Sequence, residues 1–282
     1  MNNYSLNFVS GRKITDIYTN GNKKGSIYLY DPNYKCRDEC KGKKCCNYHD
    51  LKDSTTRTDH IIADKGATFL PAFNNLKDQI STFYITGSQG TGKSVLAAKL
   101  IKEYKRENKG CPVYCISEAR EDATIDNLIN KKIMPQEIKD DNLTFEDFQD
   151  IACEYGSALI LFDDIDSIND QKIKGISLKH ITYQLLNSLI NNSRKYNINI
   201  IYTAHQPLQG AYSKAVLNSC SNWIFFTANL KNPNVVSCLK NYMNMNKRQI
   251  DGLSHLDNTR WISINQTIPQ TITTETETFI LN

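Results

Sequence analysis

The chain has 282 residues, 40% hydrophobic and 23% charged, with a net charge of +4, which suits one large α/β domain or one domain with a small appendage. No apolar run approaches the ~20 residues that span a bilayer, and the opening MNNYSLNFVSGRK has no continuous apolar stretch of the secretory kind. A helical membrane protein and a secreted disulfide scaffold are therefore not expected, a cytoplasmic protein without a membrane partner is, and the nine cysteines read as thiols or metal ligands.

In chain order, residues 4–31 alternate apolar and polar positions about Asn20-Gly21 and predict a small β-hairpin. Residues 32–66 are irregular, polar and cysteine-rich. There Cys36, Cys40, Cys45, Cys46 and His49 supply enough soft ligands for one tetrahedral Zn²⁺. The interleaved Lys35, Arg37, Lys41, Lys43 and Lys44 would make such a knuckle basic, and a reduced loop of free thiols is the other reading.

From Thr82 the pattern becomes apolar strands alternating with amphipathic helices. Strands are predicted at Phe83–Thr86, Pro112–Ser117, Ala158–Asp163, Ile198–Ala204 and Asn222–Thr227. The clearest helix is Leu178–Lys195, where Leu178, Ile181, Leu185 and Leu189 recur at helical spacing. Such alternation implies an α/β fold, a mainly parallel sheet sandwiched by helices. Arg260–Leu281 reads as two further strands broken at Pro269. Cys111, Cys115, Cys153, Cys220 and Cys238 fall on or near core elements, as small hydrophobes. The expected domains are 1–66, an N-terminal hairpin with the cysteine segment, and 67–282, a nucleotide-binding domain that includes the C-terminal strands.

Gly87–Ser94 reads GSQGTGKS, the P-loop pattern G-x-x-x-x-G-K-S, between an apolar strand and an apolar-periodic helix. Gly87 and Gly92 would adopt backbone angles other residues resist, so that successive N–H groups curl around phosphate and the helix N-terminus faces the same anion. The predicted contact stretch is Gly87, Ser88, Gln89, Gly90, Thr91, Gly92, Lys93, Ser94 and Val95, with Lys93 on the β- and γ-phosphates of ATP and Ser94 on Mg²⁺.

The strand ALILFD ends in Asp163, placed to hold Mg²⁺, followed by Asp164, placed to polarise the attacking water. The reverse assignment, Asp164 to the metal, stays open, and Asp166 reads as a cap or a solvated residue. The strand Ile198–Ala204 ends at Thr203, His205 and Gln206, of which His205 or Gln206 would sense the γ-phosphate. Arg194, Arg260 and Arg120 are candidates for an arginine finger supplied by a neighbouring subunit, with Arg194 placed first.

In this order GSQGTGKS, LILFDD, SRKYNINIIYTAHQP and VLNSCSNWIFF resemble the FtsK–HerA superfamily of P-loop ATPases, and within it the genome-packaging ATPases of large double-stranded DNA viruses. The likeness covers about residues 68–230. Arg194, His205, Gln206 and Pro207 echo the family's Arg before a strand that ends in a Gln-Pro-bearing motif. The resemblance implies a homo-oligomeric ring that hydrolyses ATP and moves double-stranded DNA into a capsid, in host cytoplasm, virus factory or virion. Loops that would touch DNA have little signature beyond lysine-rich tips such as Lys172 and Lys174, and capsid protein would be a partner. A P-loop ATPase acting on protein, of the assembly or secretion type, is the alternative.

Overall fold

The computed structural model describes residues 80–265 apart from 170, 171, 174, 209–215, 255, 257 and 258, together with 270–274 and strands at 5–7, 12–19, 22–30 and 278–281. The chain divides into two compact units, one of residues 71–266 and one of residues 1–70 with 267–282. Cys36, Cys40, Cys45, Cys46, His49 and Lys174 lie outside the described residues.

In the second of these units β1 (Ser5–Asn7), β2 (Arg12–Thr19) and β3 (Asn22–Tyr30) form an antiparallel sheet in the order β1-β3-β2. Thr19 faces Asn22 across the expected Asn-Gly turn, and β1 adds a third strand to the predicted hairpin.

The larger unit is built on β4 (Thr82–Thr86), β5 (Val113–Ser117), β6 (Lys131–Ile133), β7 (Ala158–Asp163), β10 (Ile198–Ala204), β11 (Asn222–Phe226) and β12 (Trp261–Asn265). These lie in the order β12-β11-β4-β10-β7-β5-β6. All neighbouring pairs are parallel except β11 with β12. Every residue of β4, β7 and β10 is buried, which explains why these strands read as continuous apolar runs rather than as alternating ones.

β4 presents two faces to two layers. Phe83 and Ile85 join Leu96, Ala97, Ile101 and Tyr104 of α1 (Lys93–Glu107) in one core. On the other face Tyr84 stacks on Tyr202 at 4.9 Å between ring centroids and meets Trp223 edge-on at 5.6 Å. These three rings are register partners across β10, β4 and β11, the cross-strand unit that stabilises a sheet.

The connecting helices are α2 (Pro135–Asp140), α3 (Phe145–Tyr155), α4 (Leu178–Asn192), α5 (Pro233–Tyr242) and α6 (Lys247–Leu253). Their ends follow local chemistry. A Thr144–Asp147 capping box opens α3, Gly156 ends it at φ 81°, and the Ser177 hydroxyl accepts from the His180 N–H to open α4. The predicted helix through Lys195 is α4 followed by a tighter 3-10 turn over Ser193–Lys195. Before α4 comes a short antiparallel pair, β8 (Lys172–Ile173) and β9 (Ile176–Ser177).

The C-terminal expectation needs correction. Between Arg260 and Leu281 the chain forms three strands, β12, β13 (Gln270–Thr273) and β14 (Thr278–Leu281), because the polar run TETET interrupts the apolar alternation. β13 and β14 pair antiparallel.

Candidate nucleotide-binding site

The loop at Gly87 begins where β4 ends, and its N–H donates to the Ala204 carbonyl at 3.1 Å, carrying the β4–β10 ladder one step past the strand. Gly90 and Gly92 take φ of 78° and 103°, angles that cost a side-chain-bearing residue. Gly87 has no positive φ. Its requirement is space, since a Cβ there would sit 2.7 Å from Phe226 Cδ2 and 2.7 Å from Thr91 Oγ1. Thr91 Oγ1 donates to the Ser88 carbonyl at 2.8 Å and holds the turn. α1 opens at Gly92 with no side-chain cap and no acidic residue in its first turn, so its free N–H groups and dipole are available to an anion.

Lys93 is buried, 6% exposed, and its ammonium is fully engaged. Nζ donates to the Gly87 carbonyl at 3.1 Å and to His205 Nδ1 at 3.2 Å, and lies 3.6 Å from Asp164 Oδ1. An ammonium has only donors, so His205 Nδ1 must accept. The imidazole is then neutral with its proton on Nε2, which faces Asp164 Oδ2 at 3.4 Å. Lysine, histidine and aspartate thus form a closed ring of contacts, and each pair suits the other's proton inventory.

Since β10 lies between β4 and β7, the tip of β10 separates the loop from the carboxylates. Thr203, fully buried, uses that position: its hydroxyl donates to Asp163 Oδ1 at 2.8 Å and accepts from the Asp164 N–H at 2.8 Å. Asp164 leaves the strand in the left-handed region at φ 46°, and its carboxylate meets Lys93 and His205 while Oδ1 also lies 3.3 Å from the Thr203 hydroxyl. The Asp163 carboxyl is pushed up to about 6, first by burial, with the Thr203 hydrogen bond opposing and the Asp164 charge adding to it. A buried carboxylate with one neutral hydroxyl donor is short of positive charge. Asp163 and the half-buried Ser94 hydroxyl are both hard-oxygen donors, the chemistry that suits Mg²⁺.

Of the two candidate sensors, the structure brings His205 to Lys93 and Asp164. Gln206 turns outward, with Oε1 accepting from Asn234 Nδ2 at 3.2 Å. Asp166 is neither cap nor solvated: its Oδ2 accepts the His205 N–H at 2.9 Å and fixes the backbone that carries the imidazole. Tyr84 does the same one residue on, donating to the Gln206 and Pro207 carbonyls at 3.0 and 3.1 Å.

Arg194 is exposed in the turn before β10, on the sheet edge opposite Gly87 and roughly 20 Å away along the strands. It does not join this chain's own site. Arg120 follows β5 and Arg260 precedes the antiparallel β12, which places both on the loop's edge. Val95, 50% exposed, faces outward from α1. Of the five described cysteines, Cys115, Cys220 and Cys238 are buried and Cys153 is exposed.

Sequence reading passed over Phe226 and Asn229. Phe226 fills the space that Gly87 leaves, and Asn229 Oδ1 accepts from Ser88 Oγ at 3.0 Å. Both come from the end of β11, about 140 residues from the loop; Phe226 lies in the predicted strand and closes the motif VLNSCSNWIFF, but nothing local ties either residue to the loop.

The strand, glycine loop and helix with a buried lysine, one strand removed from a carboxylate-tipped strand, define a P-loop nucleoside triphosphatase fold and site. A family model described as "Nephrocystin 3, N-terminal" matches residues 68–134, the part that holds the loop. The chain is 29% identical over 232 residues to "Uncharacterized protein V3" of Sputnik virophage, covering 81% of this chain and 86% of that protein. Among solved structures it is similar to the genome-packaging NTPase B204 of Sulfolobus turreted icosahedral virus 2, at a TM-score of 0.47 and 14% identity over 72% of this chain and 98% of that one. It is also similar to the pCW3 conjugation coupling protein TcpA, at a TM-score of 0.45 and 12% identity over 72% and 59% of the two chains.

Proposed function

We propose that this chain is an ATPase that moves double-stranded DNA, working as a homo-oligomeric ring that packages a viral genome into a capsid. The observation that carries the ATPase reading is the contact ring of Lys93, His205 and Asp164 at the mouth of the glycine loop. The order of motifs and the resemblance built on them support the DNA motor. Among the described residues no helix is long and apolar enough to cross a membrane.

In this reading the loop N–H groups and α1 bind the phosphates, and Lys93 exchanges its contacts with Gly87 and His205 for phosphate oxygens. Ser94 and Asp163 would hold Mg²⁺, which supplies charge neutralisation at the phosphates when bound. Asp164 accepts the proton of the attacking water, and His205 Nε2–H orients its second oxygen. Released from Lys93, His205 can report whether the γ-phosphate is present. Arg194, exposed and remote from its own loop, serves a neighbouring subunit's site. The Lys172 hairpin, between β7 and α4 in the chain, would meet DNA phosphates.

Triplex displacement tests translocation. A labelled third strand on linear duplex DNA should be released by the wild-type protein with ATP and retained with Lys93→Ala or with a non-hydrolysable analogue. ATP hydrolysis that never displaces the strand would contradict the motor and turn attention to a protein substrate.

A further inference from the structure

We propose that Asn229 contacts the nucleotide, its side-chain amide donating to the terminal phosphate of a bound triphosphate; this rests on the nucleotide reading above. Asn229 ends the 3-10 turn Thr227–Asn229 that follows β11. Its Oδ1 is held by the Ser88 hydroxyl at 3.0 Å. Its Nδ2 is buried without a hydrogen-bond partner and lies 3.3 Å from where a Cβ on Gly87 would be. A second group shares this condition: Thr86, 2% exposed and one residue before the loop, has a buried Oγ1 with no partner. Buried polar groups are nearly always paired, and two unpaired ones beside the same loop point to an absent oxygen-rich ligand.

The surroundings decide which part of the nucleotide that is. Thr86 and Asn229 line one cleft with Gly87, Ser88, His205 and Gln206. His205 is the residue already in contact with Lys93 and Asp164, so the cleft opens on the reacting end of the triphosphate. No Phe, Tyr or Trp lines it, and its one ring, the His205 imidazole, is engaged by Lys93 and Asp164. A neutral amide fits this place well. It can donate to a terminal phosphate oxygen while Ser88, anchored to its Oδ1, keeps it aimed, and after hydrolysis the donor loses its acceptor.

Binding of fluorescent ATPγS and ADP analogues to the full chain tests this, with Lys93→Ala measured beside it. Asn229→Asp keeps the size and the acceptor for Ser88 but removes the donor. It should weaken ATPγS roughly tenfold or more and ADP by less than about threefold, the range of one lost hydrogen bond to a charged group. Ser88→Ala, which frees the amide from its anchor, should weaken ATPγS severalfold, and it serves in place of Asn229→Asp should that variant not fold. Unchanged ATPγS affinity in the folded variants would overturn the proposal, and equal losses for ATPγS and ADP would overturn the terminal-phosphate assignment. Full ATPγS affinity in Lys93→Ala would instead overturn the nucleotide reading on which it rests.

Discussion

Replacing Asp163 by asparagine should stabilise the nucleotide-free, metal-free protein at neutral pH while it abolishes turnover. The folded carboxyl holds its proton up to about pH 6, whereas an ordinary one releases it near 3.8. Between those values the folded state binds more protons than the unfolded state, so stability is highest below pH 3.8 and is lost as pH rises through 6. At about 1.4 kcal/mol per pH unit, the difference amounts to about 3 kcal/mol at neutral pH. With 7% of the residue exposed, little of this is screened away. The asparagine keeps an acceptor for the Thr203 hydroxyl but buries two amide hydrogens, a cost of about 1–2 kcal/mol, which leaves a net gain of about 1–2 kcal/mol at pH 7. Urea denaturation in EDTA, from pH 4 to 7, should show wild type losing about 2.5 kcal/mol relative to Asp163→Asn across that range. Parallel pH profiles for the two proteins would refute the reasoning, because Asp163 would then titrate like an exposed carboxyl.

Gly87→Ala should cost about 1–3 kcal/mol by overpacking, since Phe226, 4% exposed, cannot retreat. Thermal melts should show Phe226→Leu recovering part of that loss in the double variant. Thr203→Val preserves volume but breaks the link between Asp163 Oδ1 and the Asp164 N–H. It should destabilise by about 2–4 kcal/mol and move the acid limb of the ATPase pH profile upward, because the hydrogen bond that lowers the Asp163 carboxyl is gone. Asp164→Asn should retain nucleotide binding and lose about 10²-fold or more in turnover; near-normal turnover would remove Asp164 from the role of base.

The parts of the site legible in the sequence are those whose chemistry is local. GSQGTGKS must curl because Gly90 and Gly92 need positive φ, and ALILFD must be a buried strand because it has no polar face. A continuous stretch of chain sets both. His205 and Gln206 could not be ranked from sequence, because the choice depends on which side chain Asp166 and Tyr84 aim at the loop, and neither lies next to them in the chain. Gly87 is expected from sequence to need unusual backbone angles, but its φ is not positive, and it is Phe226 and Thr91 that leave no room for a side chain there. Asn229 carries no periodicity or spacing signal at all.

The central claim is that the ring of Lys93, His205 and Asp164 is an ATP-hydrolysing centre driven by DNA. Steady-state ATP hydrolysis by the full chain, with and without linear duplex DNA and with Lys93→Ala alongside, tests it most directly. The account predicts turnover that rises strongly on adding DNA and is absent from Lys93→Ala. Turnover that persists in Lys93→Ala would contradict the site, and robust turnover indifferent to duplex DNA would contradict the motor.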